Sequence, residues 1–151
     1  MYLLDTNHCS RIIEGDAAVI ARFSPHRQVR ATTCVIVQAE LLFMAYYSRR
    51  ADVNLLPIRA FLSRIRIHSI DDETTDLCAQ IKTAIFQRWA PKERSKRRHF
   101  RLNDLGLTDN DLWIAAIALR NDLIVVTSDG DFARIAQVTD LRHESWLGSE
   151  Q

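Results

Sequence analysis

A chain of 151 residues, 47% hydrophobic and 26% charged, suits one globular domain and is too apolar for disorder. Its four Gly and three Pro argue against a turn-rich all-β fold, and no apolar run reaches the roughly 18 residues of a membrane span. The net charge of +1 hides an asymmetry: residues 92–101, KERSKRRHFR, hold six Lys/Arg against one Glu, while the remainder holds 14 against 18 acids.

Residues 2–4 (YLL) predict a short buried strand that stops on Asp5, Thr6 and Asn7. Residues 7–24 predict a helix in one or two pieces, interrupted around Glu14-Gly15-Asp16 and ended near Pro25. A strand is expected over 29–32. Thr32 or Thr33 then caps a helix running to about Arg50. A further helix is expected over 55–64, with Pro57 in its first turn, then a strand over 66–70. Asp71 or Asp72 caps a long helix over 73–89, and residues 91–106 break the pattern as a basic loop. Thr108 caps a helix through Asn121. The β-branched LIVVT, residues 123–127, is a strand, followed by a helix over 131–137 and a weak strand over 141–144.

Strands that alternate with helices and are continuously apolar predict an α/β fold. In it a central, mainly parallel sheet is covered by helices on both faces. No repeat or linker divides residues 1–151, so a single domain is expected, with the basic loop at about 90–106 as its one insertion-like segment. Cys9, Cys34 and Cys78 are odd in number and widely spaced. That argues against a disulfide framework or zinc site and for a reducing cytoplasm. The N-terminal segment lacks the basic-then-apolar pattern of a signal peptide.

Ligands of open α/β sheets bind beyond the carboxyl ends of the strands. Asp5 follows the first strand there, and Asp129 and Asp131 follow LIVVT. Each has a plainer role available: Asp5 or Asn7 as a helix cap, and Ser128 with Asp129 as a turn around Gly130. Glu40 has Ile36, Val37, Phe43 and Met44 at helical spacing, which predicts a carboxylate in a core-facing stripe. A buried carboxylate needs a partner, and an ion pair with Arg30 or Arg49 is the structural alternative. Asp111 stands at the third position of TDNDLWIAAIAL, where a capping box with Thr108 is its local explanation. That helix is apolar on nearly every face and must be buried. Its start would aim Asp109 and Asp111 into the same crevice.

Two carboxylates about 4 Å apart repel by roughly 4 kcal/mol at an effective dielectric near 20. Such a group needs protons or a cation. No Cys or His accompanies it at ligand spacing, and an all-oxygen donor set suits Mg²⁺ or Mn²⁺.

LLDTN, Glu40 within an apolar helix, DLWIAAIAL and VVTSDGDFARI together resemble the PIN-domain ribonucleases, and most of all the VapC-type toxins of toxin–antitoxin pairs. The resemblance runs from Tyr2 to about Trp146. It implies a three-layer α/β/α domain and metal-dependent endoribonuclease activity, with ion-activated water attacking the phosphorus to leave a 3′-hydroxyl and a 5′-phosphate. The family's first three acids match Asp5, Glu40 and Asp111; the fourth matches Asp129, with Asp131 the alternative. Thr6 and Asn7 match the polar pair beside the first acid, and Thr127 the hydroxyl ending the fourth strand. Asp109 and Asp131 are expected to help orient the ligands. A cognate antitoxin, a homodimer and an RNA substrate such as transfer RNA are further implications.

The basic stretch is longer than in compact members of the family. Either it is a solvated loop or its Lys92, Arg94, Lys96, Arg97, Arg98 and Arg101 contact the RNA backbone. Two rival readings are an Asp-nucleophile phosphohydrolase and a silent RNA- or protein-binding module. The first expects a second Asp where Asn7 stands and a Lys that is not found. The second would draw on Phe43, Tyr46 and Tyr47, residues that also suit a core or a dimer face.

Overall fold

The structure, a computed structural model, describes residues 1–26 and 31–147. Its strands are the short apolar runs of the sequence: β1 (Tyr2–Leu4), β2 (Ala31–Cys34), β3 (Arg66–His68), β4 (Ile124–Val126) and β5 (Arg142–Glu144). Residues 29 and 30 of the second expected strand lie outside the described residues. All pairings are parallel, in the order β3-β2-β1-β4-β5, with Leu3 opposite both Thr32 and Val125. Leu3, Leu4, Val125 and Val126 are fully buried, as strands covered on both faces must be.

Eight α-helices connect the described strands: α1 (Thr6–Glu14), α2 (Ala17–Phe23), α3 (Val35–Tyr47), α4 (Ala51–Leu62), α5 (Asp72–Trp89), α6 (Arg94–Arg97), α7 (Asp109–Arg120) and α8 (Asp131–Ile135). Parallel crossovers are right-handed. From the central β1 the chain steps outward through β2 and β3, then returns across the sheet to β4. This puts α1 to α4 on one face and α5, α7 and α8 on the other, the three-layer arrangement expected. Helix contacts follow that division: α3 packs on α4, and α5 on α7. The helix α7 forms the centre of its layer, with Leu112 and Ile114 to Ala118 buried.

The break between α1 and α2 falls at Gly15, whose φ of +87° is left-handed, and Asp16 caps α2 by accepting from the Ala18 and Val19 amides. Elsewhere the chain departs from local expectation. Neither Thr32 nor Thr33 caps α3; the cap position is Cys34. Both hydroxyls donate instead to β1 carbonyls, Thr32 to Tyr2 (2.8 Å) and Thr33 to Leu4 (3.0 Å), because both residues belong to β2. Helix α4 starts at Ala51, so Pro57 lies within it and not in its first turn. Proline forfeits its bond to the Val53 carbonyl there, and Val53 is half exposed, so water can satisfy that group. The basic segment is not a featureless loop. It contains α6 and a 3-10 turn, Leu102–Leu105, and is pinned by buried Phe100 edge-on to Phe86 at 5.1 Å. Among the described residues no helix is long and apolar enough to cross a membrane.

Candidate active site

The neighbours β1 and β4 send their chains in opposite directions, β1 toward β2 and β4 toward β5. At such a switch point the carboxyl ends of two strands open a crevice. Asp5 leaves β1 there and Thr127 leaves β4, and the Thr127 hydroxyl donates to Asp5 Oδ2 at 2.9 Å. Thr127 Oγ1 also accepts from the Asp129 amide at 2.9 Å, tying the TSDGDF loop to the same spot. Asp5 Oδ1 accepts from the Thr6 amide at 2.6 Å, so Asp5 is also the N-cap of α1. The capping role and the site role coincide in one side chain. Asp5 is only 7% exposed, and its pKa is pushed up to about 6. Burial is the main cause; the bonds from Thr6 and Thr127 oppose it, and the charges of Glu40 and Asp111 add to it.

Glu40 is not in a core-facing stripe. The buried side of α3 is Val37, Leu41 and Ala45, whereas Phe43 and Met44 are 63% and 50% exposed. The apolar residues around Glu40 belong partly to an exposed apolar face, which periodicity alone does not distinguish from a core. Glu40 sits half-buried on the flank and accepts from the Thr6 hydroxyl on Oε2 and from Asn110 Nδ2 on Oε1, the latter at 2.6 Å. Among the described residues no cation pairs with it, Arg49 included; Arg30 lies outside them.

Asp111 does form the capping box. Thr108 N and Oγ1 both donate to its Oδ2 at 2.7 Å, so Oδ1 takes no part in the cap. Its pKa is raised by burial, opposed by the two Thr108 bonds and reinforced by the charges of Asp129 and Asp131. Asp129 is exposed, accepts from the Asp131 amide at 2.9 Å, and pairs with no cation among the described residues. Asp131 pairs with Arg134 at 2.9 Å, and Arg134 also donates to the Leu105 carbonyl.

Two expected members stand apart. Asp109 pairs with Lys82 of α5 at 2.7 Å and is held by that helix, not by the acid group. Asn7 is exposed and does not reach Asp5 by a hydrogen bond. Two residues that the sequence pattern does not single out join the group: Asn110, which holds Glu40, and Arg134, which holds Asp131. The only local signal for Asn110 is an amide between two acids in the first turn of a buried helix.

The donor set is suited to a hard divalent cation. Its carboxylates sit at one edge: beyond burial, the charges of Glu40 and Asp111 raise the pKa of Asp5, and those of Asp129 and Asp131 raise that of Asp111. Among the described residues no three donors converge as a ready-made ligand cage. Mg²⁺ is ordinarily held by one or two carboxylates and several waters, so a cage is not required.

Of the expected RNA-contacting residues, Lys92, Arg94, Lys96, Arg97 and Arg98 are exposed, as is Arg101. Lys96 pairs with Glu93, Arg97 donates to the Pro91 carbonyl, and Arg101 donates to the Arg98 and Phe100 carbonyls. The segment's far end, Leu105 and Gly106, lies against Arg134 and Asp131 and leads directly into the Thr108 cap.

Comparison with known proteins agrees with the fold. The PIN domain family matches residues 2–138. DNA-bound VapBC from Salmonella typhimurium is 24% identical with a TM-score of 0.79, covering 97% of this chain and 98% of that one. VapBC2 from Rickettsia felis, bound to a promoter DNA fragment, is 23% identical with a TM-score of 0.78 and the same coverage, 97% and 98%. VapBC-5 from Mycobacterium tuberculosis, of the VapBC family of toxin–antitoxin systems, is 22% identical with a TM-score of 0.59, covering 95% of each chain. No curated protein matches significantly.

Proposed function

The chain belongs to the PIN-domain family, and from that premise we propose that it is a Mg²⁺- or Mn²⁺-dependent endoribonuclease, the toxin of a toxin–antitoxin pair. The observation that carries the reading is a hydrogen-bonded link among carboxylates at the β1/β4 switch point: Thr6 donates its amide to Asp5 and its hydroxyl to Glu40, and Asn110, next to Asp111, donates to Glu40. Carboxylates so placed would hold a cation that, when bound, activates water and offsets charge on a phosphodiester. Asp5, Glu40, Asp111 and Asp129 would hold it, directly or through water. Asp129 is favoured over Asp131 as the fourth acid because Arg134 already neutralises Asp131. Thr6, Thr108 and Thr127 orient these carboxylates with neutral donors, which leaves their charge available. Lys92, Arg94 and Arg98 make no ion pair among the described residues, which suits them to RNA phosphates.

The exposed apolar residues Phe43, Met44, Tyr46 and Tyr47 of α3, with Val53 and Leu56 of α4, support an assembled form, either a homodimer or a complex with an antitoxin. The VapBC character of the structural neighbours supports the antitoxin.

The test is to incubate purified protein with total RNA in Mn²⁺ or in EDTA and map the cut ends. Cuts in Mn²⁺ alone, carrying 5′-phosphates, are expected. Asp5→Asn should fold and lose cleavage; a folded, fully active Asp5→Asn protein would sink the assignment. RNA binding without metal-stimulated cleavage would favour a silent binding module.

A further inference from the structure

Glu40 owes its orientation to two neutral donors on two different helices. The Thr6 hydroxyl of α1 reaches Oε2, and Asn110 Nδ2 of α7 reaches Oε1 at 2.6 Å. A single bond to one carboxylate oxygen leaves the group free to turn about its last side-chain torsion. A second bond to the other oxygen fixes its plane. Both donors are uncharged, so neither forms an ion pair with Glu40, as Arg or Lys in the place of Asn110 would. Each oxygen accepts one of these bonds and keeps lone-pair capacity for a further partner. Asn110 immediately precedes Asp111, so the same bond ties Glu40 to the helical turn that carries another acid of the group. Asn110 is itself exposed. A lone amide–carboxylate bond at the surface stabilises a fold weakly, which makes a purely structural role a poor account of it.

We propose that Asn110 is a positioning residue: its neutral amide locks the Glu40 carboxylate, with no counter-ion, at the spacing from Asp111 that a divalent cation requires. The proposal rests on the metal-dependent reading above. It predicts that Asn110 acts only through Glu40.

The measurement is Mn²⁺ titration of RNA-free protein, following free Mn²⁺ by electron paramagnetic resonance. It compares wild type, Asn110→Ala, Glu40→Ala and the double variant. Loss of a group that orients a metal ligand typically weakens affinity about 10- to 100-fold, and Asn110→Ala should weaken Mn²⁺ binding by roughly 10-fold or more. Its melting temperature should stay within about 4 °C of wild type. In the Glu40→Ala background the same substitution should change Mn²⁺ affinity no further. Glu40→Leu, which likewise offers Asn110 no acceptor, replaces Glu40→Ala should the latter not fold. Wild-type protein that binds Mn²⁺ while Asn110→Ala binds it equally well overturns the inference alone. So does an equal loss in both backgrounds. Wild-type protein that binds no Mn²⁺ overturns the metal reading and this inference with it.

Discussion

The carboxylate of Asp5 caps α1 through Oδ1 and receives the Thr127 hydroxyl on Oδ2, yet burial still raises its pKa to about 6. Linkage fixes the sign of the consequence. In the unfolded chain Asp5 ionises near 3.8, so raising the pH from there through 6 favours the unfolded state. Metal-free protein should lose stability over that interval, by on the order of 2–3 kcal/mol for this one group. Asn in its place keeps one acceptor oxygen for the Thr6 amide, offers an NH2 that the Thr127 hydroxyl can accept from, and cannot ionise. Asp5→Asn should therefore be more stable than wild type in EDTA above pH about 7. The difference should vanish near pH 4, as read by urea midpoints. An unchanged difference across that range would mean that Asp5 is not buried as described. A bound cation should reverse the penalty and stabilise wild type more than Asp5→Asn.

At the scale of elements, the start of α7 joins two tasks. The Thr108–Asp111 box caps a helix that must be buried, and uses only one of the two Asp111 oxygens. The turn leading into it depends on Gly106, whose φ is +79°; a Cβ there would lie 3.0 Å from Asp131 Oδ1. Gly106→Ala should cost about 1–3 kcal/mol in backbone strain and should displace Asp131. Thermal melting checks the first effect. If Asp129 is the fourth acid, cleavage by the folded variant should fall far less than in Asp129→Ala, which a side-by-side RNA assay would show.

Across the whole molecule, acids gather at the strand ends while the positive charge is concentrated in residues 92–101. An acidic crevice repels RNA, so affinity has to come from elsewhere. On the proposed reading it comes from Lys92, Arg94 and Arg98. Replacing them with Ala should weaken RNA binding irrespective of sequence. For single-stranded RNA, the slope of log affinity against log salt should flatten by about 0.7 for each phosphate that is no longer neutralised. Filter binding at several salt concentrations measures both effects. Unchanged salt dependence would make the segment a solvated loop. Melting should change little, because Phe100, not the charges, anchors the segment to the body.

What the sequence determined by itself is whatever depends on neighbours along the chain. The apolar runs YLL and LIVVT predicted β1 and β4, Gly15 predicted the break between α1 and α2, and Thr108 predicted the cap of α7. The resemblance of LLDTN and DLWIAAIAL to PIN proteins is of the same local kind. Tertiary structure decided whatever depends on groups brought from afar. Thr32 and Thr33 were expected as helix caps and became donors to β1 carbonyls, because only sheet pairing places those acceptors beside them. Periodicity put Glu40 on an apolar stripe, but Phe43 and Met44 are exposed, since an exposed apolar face and a core have the same spacing. Asp109, next but one to Asp111, went to Lys82, because side chains two apart on a helix point in different directions. Asn110 found Glu40 across 70 positions of chain. No local pattern encodes that pairing; it exists because the fold packs α3 and α7 at one edge of the sheet.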